Sequence, residues 1–89
     1  MIIDMITEVK DLYGKYIHVG DRVAWSEKSS TSTSFLCAGE VIGIKAKPII
    51  TEIYVRIQKW GDPFFERNEV GKIRCFIYPR EYYNLIVIN

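Results

Sequence analysis

The residues able to do covalent or metal chemistry are few and scattered. His18 is the only imidazole, and Cys37 and Cys75 lie far apart with no C-x-x-C spacing. Neither a zinc set nor a Cys–His nucleophile pair is spelled out. Asp4, Asp11, Asp21 and Asp62 follow no calcium-loop interval. The spacing Gly39-x-x-x-Gly43 lacks the Lys-Ser/Thr that completes a phosphate loop, and no Ser-His-acid motif is present. The chain is therefore expected to be no enzyme, with no catalytic residue, cofactor or metal. Both cysteines sit in apolar segments, as small buried hydrophobes do in a reducing compartment, so a cytoplasmic protein is expected.

Binding chemistry is better represented. Tyr54 falls on the polar phase of an alternating segment, opposite Ile53 and Val55. Downstream, Trp60-Gly61-Asp62-Pro63-Phe64-Phe65 puts three large aromatics into a Gly/Pro turn, more apolar area than a connection needs. Either these rings fold back as a lid or they form a protein-binding tip. Tyr54, Trp60, Phe64 and Phe65 make up the expected partner-binding set, because aromatics offer large rigid contact area at small entropic cost. An exposed patch there would equally serve self-association. The alternative is a nucleic-acid surface, with Arg56, Lys72 and Arg74 as a basic strip beside Tyr54, pairing phosphates and stacking bases.

The elements that must position these residues are short strands. Eighty-nine residues make one domain, and 48% apolar with 13% aromatic residues is enough for a small core. A formal charge of +1 argues against a purely electrostatic nucleic-acid binder. No apolar run reaches the ~18 residues of a membrane span, and Met-Ile-Ile-Asp lacks the basic flank of a signal peptide. Period-two alternation predicts strands at residues 22–26, 36–44, 50–60 and 73–77, and the apolar run Leu85-Ile86-Val87-Ile88 reads as the final strand. Gly39 and Gly43 mark a bend or bulge in the second of these. Val23, Val41, Val55, Ile57, Ile73 and Ile77 are the expected core, with Trp25 on the side of Val23. The hydroxyl run Ser29–Ser34 predicts a surface loop over 26–34. Pro79 to Tyr83 suggests one tight helical turn. Residues 1–17 form an amino-terminal extension that reads either as a helix over 2–10 or as strand, Asp11/Gly14 turn, strand.

The run Val19-Gly20-Asp21-Arg22-Val23-Ala24-Trp25, then Gly39-Glu40-Val41-Ile42-Gly43-Ile44, then Tyr54-Val55-Arg56-Ile57 resembles the opening strands of small SH3-like barrels of the KOW and Tudor-like kind. The lead-in Asp11-Leu12-Tyr13-Gly14-Lys15 before Val19-Gly20-Asp21 is similar to small proteins of bacteriophages and prophages. The motifs span about residues 9 to 58. The resemblance implies an all-β, five-stranded SH3-like barrel and a binding module engaging a protein partner, in the host cytoplasm if phage-encoded.

Overall fold

The computed structural model describes residues 8–29, 33–62, 68–80 and 84–89. Five strands form one antiparallel sheet: β1 (Arg22–Lys28), β2 (Ser34–Ala46), β3 (Thr51–Trp60), β4 (Ile73–Tyr78) and β5 (Ile86–Val87), in the order β4-β3-β2-β1-β5. The all-β, five-stranded, barrel-like architecture is the expected one. No helix among the described residues is long and apolar enough to cross a membrane.

The sheet is curled. In a flat sheet β1 and β4 would lie three strand spacings apart, about 14 Å. Instead Trp25 of β1 meets Phe76 of β4 edge to face, with ring centroids 5.3 Å apart. The inner face holds Val23, Val41, Ile53, Val55, Ile57 and Leu85, all buried. On β3 the alternation does what it predicts, burying Thr51, Ile53, Val55 and Ile57 and turning Glu52, Tyr54 and Arg56 outward.

The curl is helped by two register shifts between β2 and β3, at Ala38/Gly39 and Val41/Gly43. They fall at the two glycines marked by the sequence. Gly39 has a steric reason: a Cβ there would collide with the Arg56 carbonyl and stand 2.7 Å from Val55 Cγ1. At the first shift Ala38 faces Lys59 and Gly39 faces Ile57, so Gln58 is the extra residue on β3.

From residue 8 onward the amino-terminal extension is a hairpin, and residues 1–7, which hold most of the alternative helix over 2–10, lie outside the described residues. Lys10 bridges Tyr16, and the Ile17 amide donates to the Val9 carbonyl at 2.9 Å. Asp11 closes the turn, its Oδ1 accepting the Tyr13 and Lys15 amides at 2.9 Å each, while Gly14 takes φ of 81°. Its Oδ2 accepts the Val87 amide at 2.9 Å, binding β5 to the hairpin. Asp21 acts similarly in the next turn. It accepts the His18 amide at 2.8 Å and the Asn89 side-chain amide at 2.6 Å, and Asn89 Oδ1 accepts the Arg22 amide. Burial pushes the Asp11 carboxyl up, but the amides of Val87, Lys15 and Tyr13 outweigh it and hold the group below its ordinary value. The His18 amide lowers that of Asp21 against the opposing effect of burial.

Two expectations are corrected. The hydroxyl loop is shorter than 26–34, because Ser26, Glu27 and Lys28 pair with Leu36, Phe35 and Ser34. Residues 30–32 lie outside the described residues, as do 81–83 of the expected helical turn. The phase of β4 is also reversed. Ile73 is 57% exposed and Ile77 half-buried, whereas Phe76 is fully buried. β4 carries apolar residues on both phases, so alternation alone cannot choose. The larger ring wins the space under Trp25, and Arg74 is tolerated on that side because its guanidinium lies 4.5 Å over Phe76 and reaches Glu27.

Phe76→Ala should therefore cost about 3–5 kcal/mol in urea unfolding, while Ile73→Ala stays within about 0.5 kcal/mol of wild type. The lowered carboxyl values predict a stability contribution that is complete above the unfolded aspartate pKa and is lost as pH falls through the folded values. Stability measured between roughly pH 5 and pH 2 should accordingly fall more steeply in wild type than in Asp11→Asn.

Candidate functional site

The extra residue at Gln58 decides where the aromatics go. Before it, Tyr54 faces outward; after it, Trp60 is returned to the inner side, half-buried against the core and edge-on to Phe35 at 5.2 Å. Tyr54 and Trp60 are thus on opposite faces of the sheet and do not form one patch. Phe64 and Phe65 lie outside the described residues. The Tyr54 hydroxyl donates to Glu52 Oε1 at 3.0 Å, which raises the phenol above its ordinary value. Glu52 in turn is lowered by its bonds from Lys47 and Tyr54.

The basic strip is divided in the same way. Arg56 is exposed on the outer face, opposite Glu40 on β2 and Ile73 on β4. Arg74, opposite Val55, is on the inner side. Its Nε donates to Glu27 Oε1 at 3.2 Å and its Nη1 to the Cys75 carbonyl at 2.7 Å. Lys72 Nζ lies 2.7 Å from Glu69 Oε2.

What the fold does bring together is drawn from both expected sets. Trp60, Lys72 and Arg74 line one cleft of about 250 Å³ with Glu27, Glu69 and Ile73, at the end of the barrel where β1 curls round to meet β4. Ile57 and Trp60 give it apolar walls. Its two ion pairs balance in charge. They differ in freedom, since the Lys72 side chain is 68% exposed and that of Arg74 34%. Glu27 is the fixed point, because its Oε1 accepts both Arg74 Nε and the indole N–H of buried Trp25 at 2.9 Å. Among the described residues no three His, Cys, Asp or Glu side chains converge as a metal set.

Glu27 and Ile73 are the cleft residues that sequence reasoning misses. The hydroxyl run draws Glu27 into the expected loop. Its spacing from Trp25 is the available signal, since residues two apart on a strand share a face. For Ile73 no such signal exists until the phase of β4 is known.

Removing the shared acceptor should be felt. Glu27→Ala leaves the buried Trp25 indole and Arg74 short of a partner and should cost about 1–3 kcal/mol, whereas Lys72→Ala, losing an exposed ion pair, should change stability by less than about 1 kcal/mol. Chemical denaturation of the two variants distinguishes these outcomes. No protein-family model, curated protein or solved structure matches the chain.

Proposed function

We propose that this protein is a non-enzymatic binding module whose ligand is a protein segment held in the cleft at Trp60. The observation that carries this reading is the mixed lining: Trp60, Ile57 and Ile73 supply apolar contact, and both signs of charge stand beside them. A peptide presents apolar side chains, charges of either sign and neutral amides, so every part of the cleft has a counterpart on it. The lysine end of the Lys72–Glu69 pair is 68% exposed, so Lys72 turns to a competing ligand at little cost. The strand order supports the SH3-like reading, and the motif resemblance to phage proteins supports a host protein as the partner. Cys37 and Cys75 form no disulfide, in keeping with a reducing cytoplasm.

The nucleic-acid alternative draws less support. Lys72 and Arg74 are each answered by a carboxylate, and Arg56 points away from both. A phosphate chain entering the cleft would meet Glu27 and Glu69.

Selection of a random-peptide display library on the immobilised protein tests the proposal. Peptides recovered on wild type should bind Lys72→Ala and Ile73→Ser at least about tenfold more weakly, with folding stability within about 1 kcal/mol of wild type. Equal binding to the variants would place the ligand face elsewhere. Failure to recover peptides, together with oligonucleotide binding that weakens steeply with salt, would favour the nucleic-acid reading.

A further inference from the structure

The turn before β4 sets one charge of the cleft, Lys72, toward solvent on a fixed backbone. Glu69-Val70-Gly71-Lys72 closes by a hydrogen bond from the Lys72 amide to the Glu69 carbonyl at 3.1 Å, and Gly71 takes φ of 91°. Ile57 of β3 holds the turn from the other side. Its carbonyl accepts the Gly71 amide at 2.8 Å, and its amide donates to the Lys72 carbonyl at 2.9 Å. Both backbone polar groups of Lys72 are therefore bonded, while its side chain is 68% exposed. The two carboxylates of the cleft are more withdrawn, Glu27 being 20% and Glu69 18% exposed at the side chain. Arg74 is held by Glu27, by the Cys75 carbonyl and over the face of Phe76.

We propose that the segment bound at Trp60 is acidic: an Asp or Glu side chain of the ligand meets the Lys72 ammonium, beside an apolar side chain that lies against Ile73 and Trp60. The proposal rests on the peptide reading of the cleft and adds the chemistry of its ligand. An ammonium has three N–H donors, and Glu69 Oε2, at 2.7 Å, takes one of them. A ligand carboxylate accepts from another without breaking any bond of the cleft, and the ammonium between the two carboxylates offsets their repulsion. A ligand cation would have to take Glu69 from Lys72, exchanging one ion pair for another and leaving two like charges side by side. Glu27 offers a cation no better site, because its Oε1 already accepts Arg74 Nε and the Trp25 indole. Ile73 follows Lys72 in the chain and is 57% exposed, so an acid and an apolar residue are met by neighbours. With its backbone pinned by the turn, Lys72 has only side-chain freedom to lose on binding.

Peptides selected on the wild-type protein should carry Asp or Glu near an apolar residue. One of them is synthesised with an amidated carboxy terminus, so that the carboxylate tested comes from the side chain. Exchange of that acid for its amide should weaken binding to wild type about tenfold. On Lys72→Ala the same exchange should change affinity by less than about twofold, and Lys72→Arg should restore the preference for the acid. Peptides that lose affinity on Ile73→Ser but bind equally well as acid and amide overturn this inference and leave the peptide reading standing. An acid effect of the same size on Lys72→Ala does so too. Selection that yields no peptide, or peptides indifferent to Ile73→Ser, removes the peptide reading and this inference with it.

Discussion

One buried carboxylate joins parts of this chain that are 76 residues apart. Asp11 accepts three backbone amides, two from its own turn and one from Val87. No neutral side chain of that size offers so many acceptor sites, and an ionised carboxylate forms stronger bonds to amides than a neutral oxygen does. The consequence is architectural. β5 is two residues long and pairs with β1 at only two positions, too little to hold a strand in place unaided. Asp11, with Asp21 and Asn89 at the other end of the segment, supplies what the short ladder lacks. With β5 seated, β1 is flanked on both sides.

The second constraint is the curl. Trp25 and Phe76 fill the space between β1 and β4, and at the rim the same two strands are linked by Glu27 and Arg74. These contacts depend on each other. Arg74 can sit on the inner side only because Phe76 offers its ring face and Glu27 its charge, and Glu27 is held in place by the indole of Trp25. The cleft is what remains where this packing ends. Its charges therefore belong to the fold before they belong to any binding site, and only Lys72 can rearrange cheaply.

Much of this was legible in the sequence, for reasons tied to particular residues. β3 could be read because Thr51, Ile53, Val55 and Ile57 occupy one phase and polar groups the other, leaving a single way to bury it. The Asp11–Gly14 turn could be read because its chemistry is local, and the bulges because glycine inside a strand needs a reason. β4 could not be, since Ile73 and Phe76 make equal claims until a partner across the barrel is known. The separation of Tyr54 from Trp60 was hidden for a related cause: one extra residue at Gln58 inverts every side chain after it, and although Gly39 on β2 marks a bulge, nothing in β3 itself says that β3 carries the extra residue. Glu27 was lost to the hydroxyl run that follows it, which masked the end of β1.

The most direct test is amide hydrogen exchange in Asp11→Asn. An asparagine carbonyl can still accept the Tyr13 and Lys15 amides, but the side-chain amide turned toward Val87 is a donor facing a donor. Protection at Val87 and at Ile88, whose amide donates to the Arg22 carbonyl, should then collapse toward that of an open strand, while Ile53 and Val55 in the middle of β3 keep theirs. Unchanged protection at Val87 in the variant would contradict the account, because β5 would then be held without the carboxylate.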